Sequence, residues 1–228
     1  MAAYNISQFA DDRSKLIVYG VTRHLNRLLS SCDSYVPHII NVTCLAFYFY
    51  DNWDEKLKGP YLNISRNTLI HNAKMDCYQS AYFRFICEYP CVYRWKFRIG
   101  SLTSLKKWNN IIGVIRANEP SYSIIDAFDD NRYPVEAIGF VSAAAKLTGK
   151  PHLISKGYDY GIACKSGDDI EMILDFVKLE LRYRINGTDY LDAHDIDRDE
   201  KYKAVVTVWE KDSSIMFLHG SIEGYLME

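Results

Sequence analysis

The sequence predicts a mainly β protein: an antiparallel β-sandwich preceded by an N-terminal helical hairpin. Three observations carry that prediction. Between Gly157 and Gly187 apolar and polar residues alternate twice, with turn residues before, between and after the two runs. Ile170, Met172, Leu174 and Phe176 fall on one side, against Asp169, Glu171 and Asp175 on the other; Leu179, Leu181, Tyr183 and Ile185 then oppose Glu180, Arg182 and Arg184. Period-2 alternation of this kind belongs to strands with one dry face. Secondly, strand-like runs follow one another after Gly59, and none of the gaps between them carries the helical pattern a parallel α/β fold needs. Thirdly, the residues before Gly59 repeat at helical intervals instead.

The hairpin is read from two segments. In DDRSKLIVYGVTRHLNRLLSS, Leu16, Ile17, Val21, Leu25, Leu28 and Leu29 recur at spacings of three and four, after an aspartate cap and before a Ser-Ser-Cys-Asp-Ser stop. Gly20 weakens that helix by about 1 kcal/mol relative to alanine. Pro37 then suits the first turn of a second helix; the β-branched and aromatic residues after it equally permit a strand, and the helix is preferred because the first segment needs an apolar partner. Its apolar run from Ile39 to Tyr50 is too short to span a bilayer. The hairpin occupies residues 1–56 and the sandwich 57–228, with Leu57-Lys58-Gly59-Pro60 as the boundary.

Strands are expected at 61–70, 79–88 and 91–99, where Tyr93, Trp95, Phe97 and Ile99 alternate with Arg94, Lys96 and Arg98. Residues 101–110 make a loop, IIGVIRA at 111–117 a buried strand, and the turn-rich 118–134 the longest connection. A strand at 135–142 and a loop at 146–157 precede the alternating pair. Asn186-Gly187 is a tight turn, followed by a polar loop through Asp199 and strands at 201–210 and 214–219.

Composition narrows the class. The 228 residues suit one large domain, 48% hydrophobic, with 14% aromatics that include 18 Tyr, a residue favoured in strands. A formal charge of -2 gives no support to nucleic-acid or acidic-membrane binding. Cys32, Cys44, Cys77, Cys87, Cys91 and Cys164 form no framework, and the CxxxC of Cys87 and Cys91 lacks the second pair a zinc site needs, so no metal or other cofactor is expected. The N-terminus has no basic start and apolar core, and Asn41, Asn63 and Asn186 sit in sequons without that leader. A reducing, cytoplasmic setting is expected.

From Trp95 onward the order of features resembles the SPRY domain family, a concanavalin-like β-sandwich. The resemblance rests on WKFRIG (95–100), IIGVIRA (111–117), KGYDYGIACKSGDDIEMILDF (156–176), LELRYRING (179–187) and YKAVVTVWEKDSSIMFL (202–218). It covers about two-thirds of the chain. Gly167-Asp168 before one alternating strand and Asn186-Gly187 after the next are its most specific residues, and turn chemistry alone explains them. One departure stands out: the family's glycine and Ala-Phe pair after Asn-Gly are replaced by Leu191 and Ala193-His194.

The sharpest enzymatic pattern is Asp169, Glu171 and Asp175 on one strand face, since glycoside cleavage takes paired carboxylates. Ile173 interrupts the series, and a solvated strand face explains it more simply. None of the six histidines sits in a nucleophile motif, and Gly149-Lys150 lacks the rest of a phosphate loop. Arg94, Lys96 and Arg98, with Arg182 and Arg184, either form a basic patch or pair with the carboxylates across the sheet.

The expectation is therefore a non-enzymatic module. SPRY domains bind proteins or peptides through loops at one end of the sandwich and serve as adaptors in larger assemblies. That resemblance implies a protein or peptide partner contacted through 101–110, 118–134 and 188–199. Within these, Trp108, Tyr122, Arg132, Tyr133, Tyr190 and His194 are residue types that dominate interfaces. The alternative is a lectin-like carbohydrate binder or glycoside hydrolase on the same sandwich, with Asp169 and Glu171 lining a groove.

Overall fold

The computed structural model describes residues 42–47, 53–102, 110–117, 137–141, 143–148 and 158–224. The strands run β1 (Val42–Phe47), β2 (Trp53–Lys58), β3 (Leu62–Ser65), β4 (Thr68–His71), β5 (Gln79–Cys87), β6 (Val92–Ile99), β7 (Asn110–Arg116) and β8 (Ala137–Val141). They continue as β9 (Ala143–Thr148), β10 (Tyr158–Ala163), β11 (Asp169–Asp175), β12 (Glu180–Ile185), β13 (Thr188–Asp195), β14 (Tyr202–Val208) and β15 (Ser214–Gly224). All pair antiparallel, in two sheets. One has the order β13-β12-β11-β6-β15-β4-β3, with β1 also pairing β15; the other is β10-β9-β8-β7-β14-β5-β2.

The core lies between the sheets and is built from the inward residues of each alternation. Trp95, Phe97, Met172, Leu174, Leu181, Tyr183 and Ile185 are fully buried from the first sheet, facing Ile112, Val114, Phe140, Ala204 and Val206 from the second. Phe83 is its aromatic hub, with ring centroids 4.4 Å from Trp53, 5.3 Å from Phe217 and 5.9 Å from Phe97, mostly edge-on as ring quadrupoles prefer. At the β12–β13 side Tyr183 donates its hydroxyl across the layer to the Ile112 carbonyl at 2.8 Å, so one buried side chain bonds the two sheets directly. Where β7 meets β8, Gly113 lies opposite Gly139, and a Cβ on Gly113 would come 2.1 Å from the Ile138 carbonyl oxygen. Only a residue without a Cβ at position 113 lets these backbones run so close.

Several expectations change. Residues 42–47 form β1, paired with β15, so the second helix of the expected hairpin gives way to a strand here. The VTCLAF run is β-branched and apolar over six residues, a length at which a buried strand and a helix look alike. The first expected helix lies outside the described residues. β2 crosses the boundary placed at 56/57 and pairs with β5. The expected strand at 61–70 is a hairpin, β3–β4, turned by Arg66 at φ 57° and Asn67. β9 covers part of the loop expected at 146–157. Most consequentially, 188–195 is not a loop but β13, the edge strand beside β12.

Candidate functional site

Strand direction sorts the connections into two ends. At the first lie Ile99, Asn110, Gly167, Asp168, Asn186 and Ser214; the second carries Cys87, Val92, Arg116, Ala137, Asp175, Glu180, Asp195 and Tyr202. The three expected contact loops therefore do not share one end. The 101–110 segment, with Trp108, is rooted at the Asn186 end. The 118–134 segment, with Tyr122, Arg132 and Tyr133, is rooted at the opposite end, between Ala117 and Ala137. All four of those side chains lie outside the described residues.

Tyr190 and His194 fall on β13, on the face shared with Tyr183 and Leu181. Tyr190 is half-buried against Tyr160, with centroids 6.0 Å apart, and its carbonyl accepts the Tyr160 hydroxyl. His194 is buried and its Nε2 lies 3.0 Å from the Gly139 carbonyl of the other sheet. Both hold the sandwich together, and neither belongs to a loop surface. The unusual Leu191 and Ala193-His194 coincide with a register irregularity between the Tyr183–Tyr190 and Leu181–His194 pairs.

The Asn186 end is closed by its own side chains. Asp168 Oδ2 accepts from the Lys165 amide at 2.8 Å, and its Oδ1 accepts from Asn186 Nδ2 at 3.0 Å. Asn186 Oδ1 in turn accepts from the Asp169 amide at 2.9 Å. Asn186 and Gly187, at φ 50° and 84°, make the left-handed pair that a two-residue hairpin turn requires. The residues most specific to the resemblance thus stitch one turn to the next.

The carboxylate series is spent likewise. Asp169 pairs with Arg98 at 2.7 Å and Lys96 at 3.1 Å, and these cations hold its carboxyl below the usual carboxylate range. Glu171 meets Arg184 at 2.9 Å, which also bonds Asp189, and Arg182 bridges Asp189 and Glu180. Asp175 is buried and caps the next turn, accepting the amides of Val177 and Lys178 at 3.0 Å each. Opposite charges in neighbouring strands pair across the sheet, as the cross-strand alternative anticipated.

The opposite end has a different chemistry. The β11–β12 turn holds Val177, 49% exposed, and Leu179, 39% exposed at φ 58°. The alternation placed Leu179 on the inward face of a strand; it stands in the turn instead, pointing away from the core. Main-chain bonds tie this turn to its neighbours: Phe176 N donates to Cys91 O, and Ile196 N to Leu179 O at 3.0 Å. The 196–201 loop brings Arg198 over the ring of Tyr89, 4.1 Å from its centroid. Ala117 N donates to Lys201 O at 2.7 Å, so the 118–134 segment departs from this same cluster. Tyr89, Val177, Leu179 and Arg198 escape sequence reasoning because they are dispersed along the chain; the one local signal is an apolar pair flanking Lys178 where a turn should be polar.

Beneath that surface lie Cys87 and Cys91. Burial pushes both thiols up, and burial also raises the hydroxyl of Tyr93, which donates to and accepts from the Glu88 backbone. Among the described residues no three His, Cys, Asp or Glu converge.

Known structures share this architecture. The SPRY domain of human HERC1 superposes with a TM-score of 0.52 at 15% identity, over 73% of this chain and 96% of that one. The metal-free carbohydrate recognition domain of Emp46p gives 0.55 at 8% identity, covering 75% and 87%. A lectin from Bauhinia forficata, solved with GalNAc, gives 0.53 at 10% identity, covering 79% and 98%. No family model matches the sequence, and no curated protein matches it. The likeness is one of fold: the chain is a SPRY-like, concanavalin-type β-sandwich.

Proposed function

We propose that the protein is a non-enzymatic, cytoplasmic adaptor module that binds a protein or peptide at the Val177 end of its sandwich. The observation that carries this reading is Leu179, a bulky apolar residue held left-handed and exposed. That conformation costs a non-glycine residue about 1–2 kcal/mol, and glycine would take it freely. A strained, solvent-facing leucine is retained where its side chain has a use. Beside it stand Val177 and the Tyr89–Arg198 stack, residue types that anchor interfaces when a partner desolvates them. SPRY-like structures support the partner class by analogy of fold.

The test is affinity capture from a native lysate with wild type and with Val177→Asp, Leu179→Gly and Arg198→Ala. A partner retained by the wild type and lost by all three, with melting temperature preserved, supports the surface. Equal recovery with every variant sinks it. Carbohydrate binding is the second reading, supported by the equal likeness to lectin folds. Hits on a glycan array that survive these substitutions would favour it.

A further inference from the structure

The β4–β5 connection carries a thiol–imidazole pair at the Asn186 end. His71 closes β4 and is fully buried; Cys77, six residues on, is half-buried. Both are fixed by the segment that joins β14 to β15. His71 N donates to Ser213 O at 3.0 Å, Asp212 N donates to His71 O at 2.9 Å, and Cys77 N donates to Trp209 O at 3.0 Å. The chain between them doubles back, setting Cys77 Sγ 3.5 Å from His71 Nε2.

The other ring nitrogen decides the chemistry. His71 Nδ1 lies 2.8 Å from the backbone carbonyl of Glu210. A carbonyl only accepts, so Nδ1 carries the proton, and in the neutral ring Nε2 presents its lone pair to the thiol. A nucleophile, a base within reach and a third group orienting the base are the parts of an activated thiol. The Gln79 amide Nε2, 3.9 Å from the same sulfur, is a second polar neighbour. Cys87, Cys91 and Cys164 are all buried, so Cys77 is the accessible one of these four thiols.

We propose that Cys77 is a covalent modification site for α,β-unsaturated carbonyl electrophiles, with His71 as its proton acceptor. The step balances without an oxidant or a leaving group. The sulfur pair forms the S–C bond at the β-carbon, the C=C π pair moves toward the α-carbon, and the thiol proton passes through His71 Nε2 to that carbon. Burial pushes the Cys77 thiol up, the Gln79 amide pulls it back, and Asp76 raises it further. Free thiolate is therefore scarce at neutral pH, and reactivity runs through proton transfer.

The test uses N-ethylmaleimide on the full chain at neutral pH, with each cysteine's rate read by peptide mass spectrometry. A half-buried thiol without a base reacts more slowly folded than unfolded in urea. Cys77 is expected to react at least ~10-fold faster in the folded protein than in urea, and to outpace Cys87, Cys91 and Cys164, a floor set beneath the roughly 100-fold or more that positioned bases supply. His71→Asn keeps a donor for the Glu210 carbonyl and removes the base; it is expected to cancel that acceleration with the fold intact. A folded rate at or below the urea rate overturns the proposal, as does a folded His71→Asn protein with the wild-type rate. Should His71→Asn not fold, the comparison of folded and urea rates alone decides.

Discussion

Two hairpin turns, Asn186-Gly187 at one end of the sandwich and the β11–β12 turn at the other, differ in chemistry. At the Asn186 end every turn side chain described above is engaged: Asp168 holds the Lys165 amide and Asn186, and Asn186 holds the Asp169 amide. In the β11–β12 turn at the Val177 end, backbone bonds and the Asp175 carboxylate tie the chain, while Val177 and Leu179 are left exposed. Both ends contain residues at positive φ. At one, Asn186 and Gly187 are types that accept it; at the other, Leu179 is not. The Asn186 turn uses its side chains to hold the fold, whereas the Leu179 turn accepts backbone strain and leaves its apolar side chains exposed.

The comparison breaks most visibly if the Asn186 end proves tolerant. Asp168→Ala leaves Asn186 and the Lys165 amide without a buried acceptor and is expected to cost about 2–3 kcal/mol in urea unfolding. Partner binding by the remaining folded protein should be unchanged. A loss below ~0.5 kcal/mol would mean that these bonds do not close the end. Asn186→Gly separates the two contributions, since it keeps the left-handed backbone and deletes the side-chain bonds; it should cost about 1–2 kcal/mol.

Leu179→Gly should do the reverse. Relief of left-handed strain outweighs the added freedom of the unfolded glycine, for a gain of up to about 1 kcal/mol, while partner capture falls. Thermal unfolding and capture by the same preparation check both. A destabilised Leu179→Gly protein would make that leucine a packing residue and remove the main support for the surface.

The difference between the ends also explains what the sequence could reveal. β11, β12 and the turn after them were legible because each inward residue is apolar, the outward residues apart from Ile173 are charged, and Asn186-Gly187 is a local code for reversal. β13 was hidden because TDYLDAHD puts only Tyr190 and His194 among its described inward positions, and the register irregularity between them breaks any alternation. β1 was hidden by its shortness, and the Arg66 turn by a residue that seldom adopts positive φ. The candidate surface was the least legible. Tyr89, Val177, Leu179 and Arg198 come from three turns that only the sheet order brings to one end, and no pattern within a single segment encodes that.

Between the ends, the charged outer face of the first sheet offers the smallest effect and a sign that can be worked out. Arg98 and Lys96 hold the Asp169 carboxyl below its usual range, and Arg184 and Arg182 do so for Asp189. Both aspartates are more acidic folded than unfolded, so their contribution is complete above the unfolded carboxylate value near 4 and is lost as pH falls through the folded values. Urea midpoints should therefore stay level on this account from pH 7 to about 5 and decline below ~4. Because these pairs are largely solvent-exposed, the decline should be shallow, and salt at about 1 M should flatten it further. Asp169→Asn should reduce the slope without altering partner capture. A midpoint that rises on acidification through that window would mean the ladder is unpaired in solution, returning Asp169 and Glu171 to the reading of an open carboxylate face.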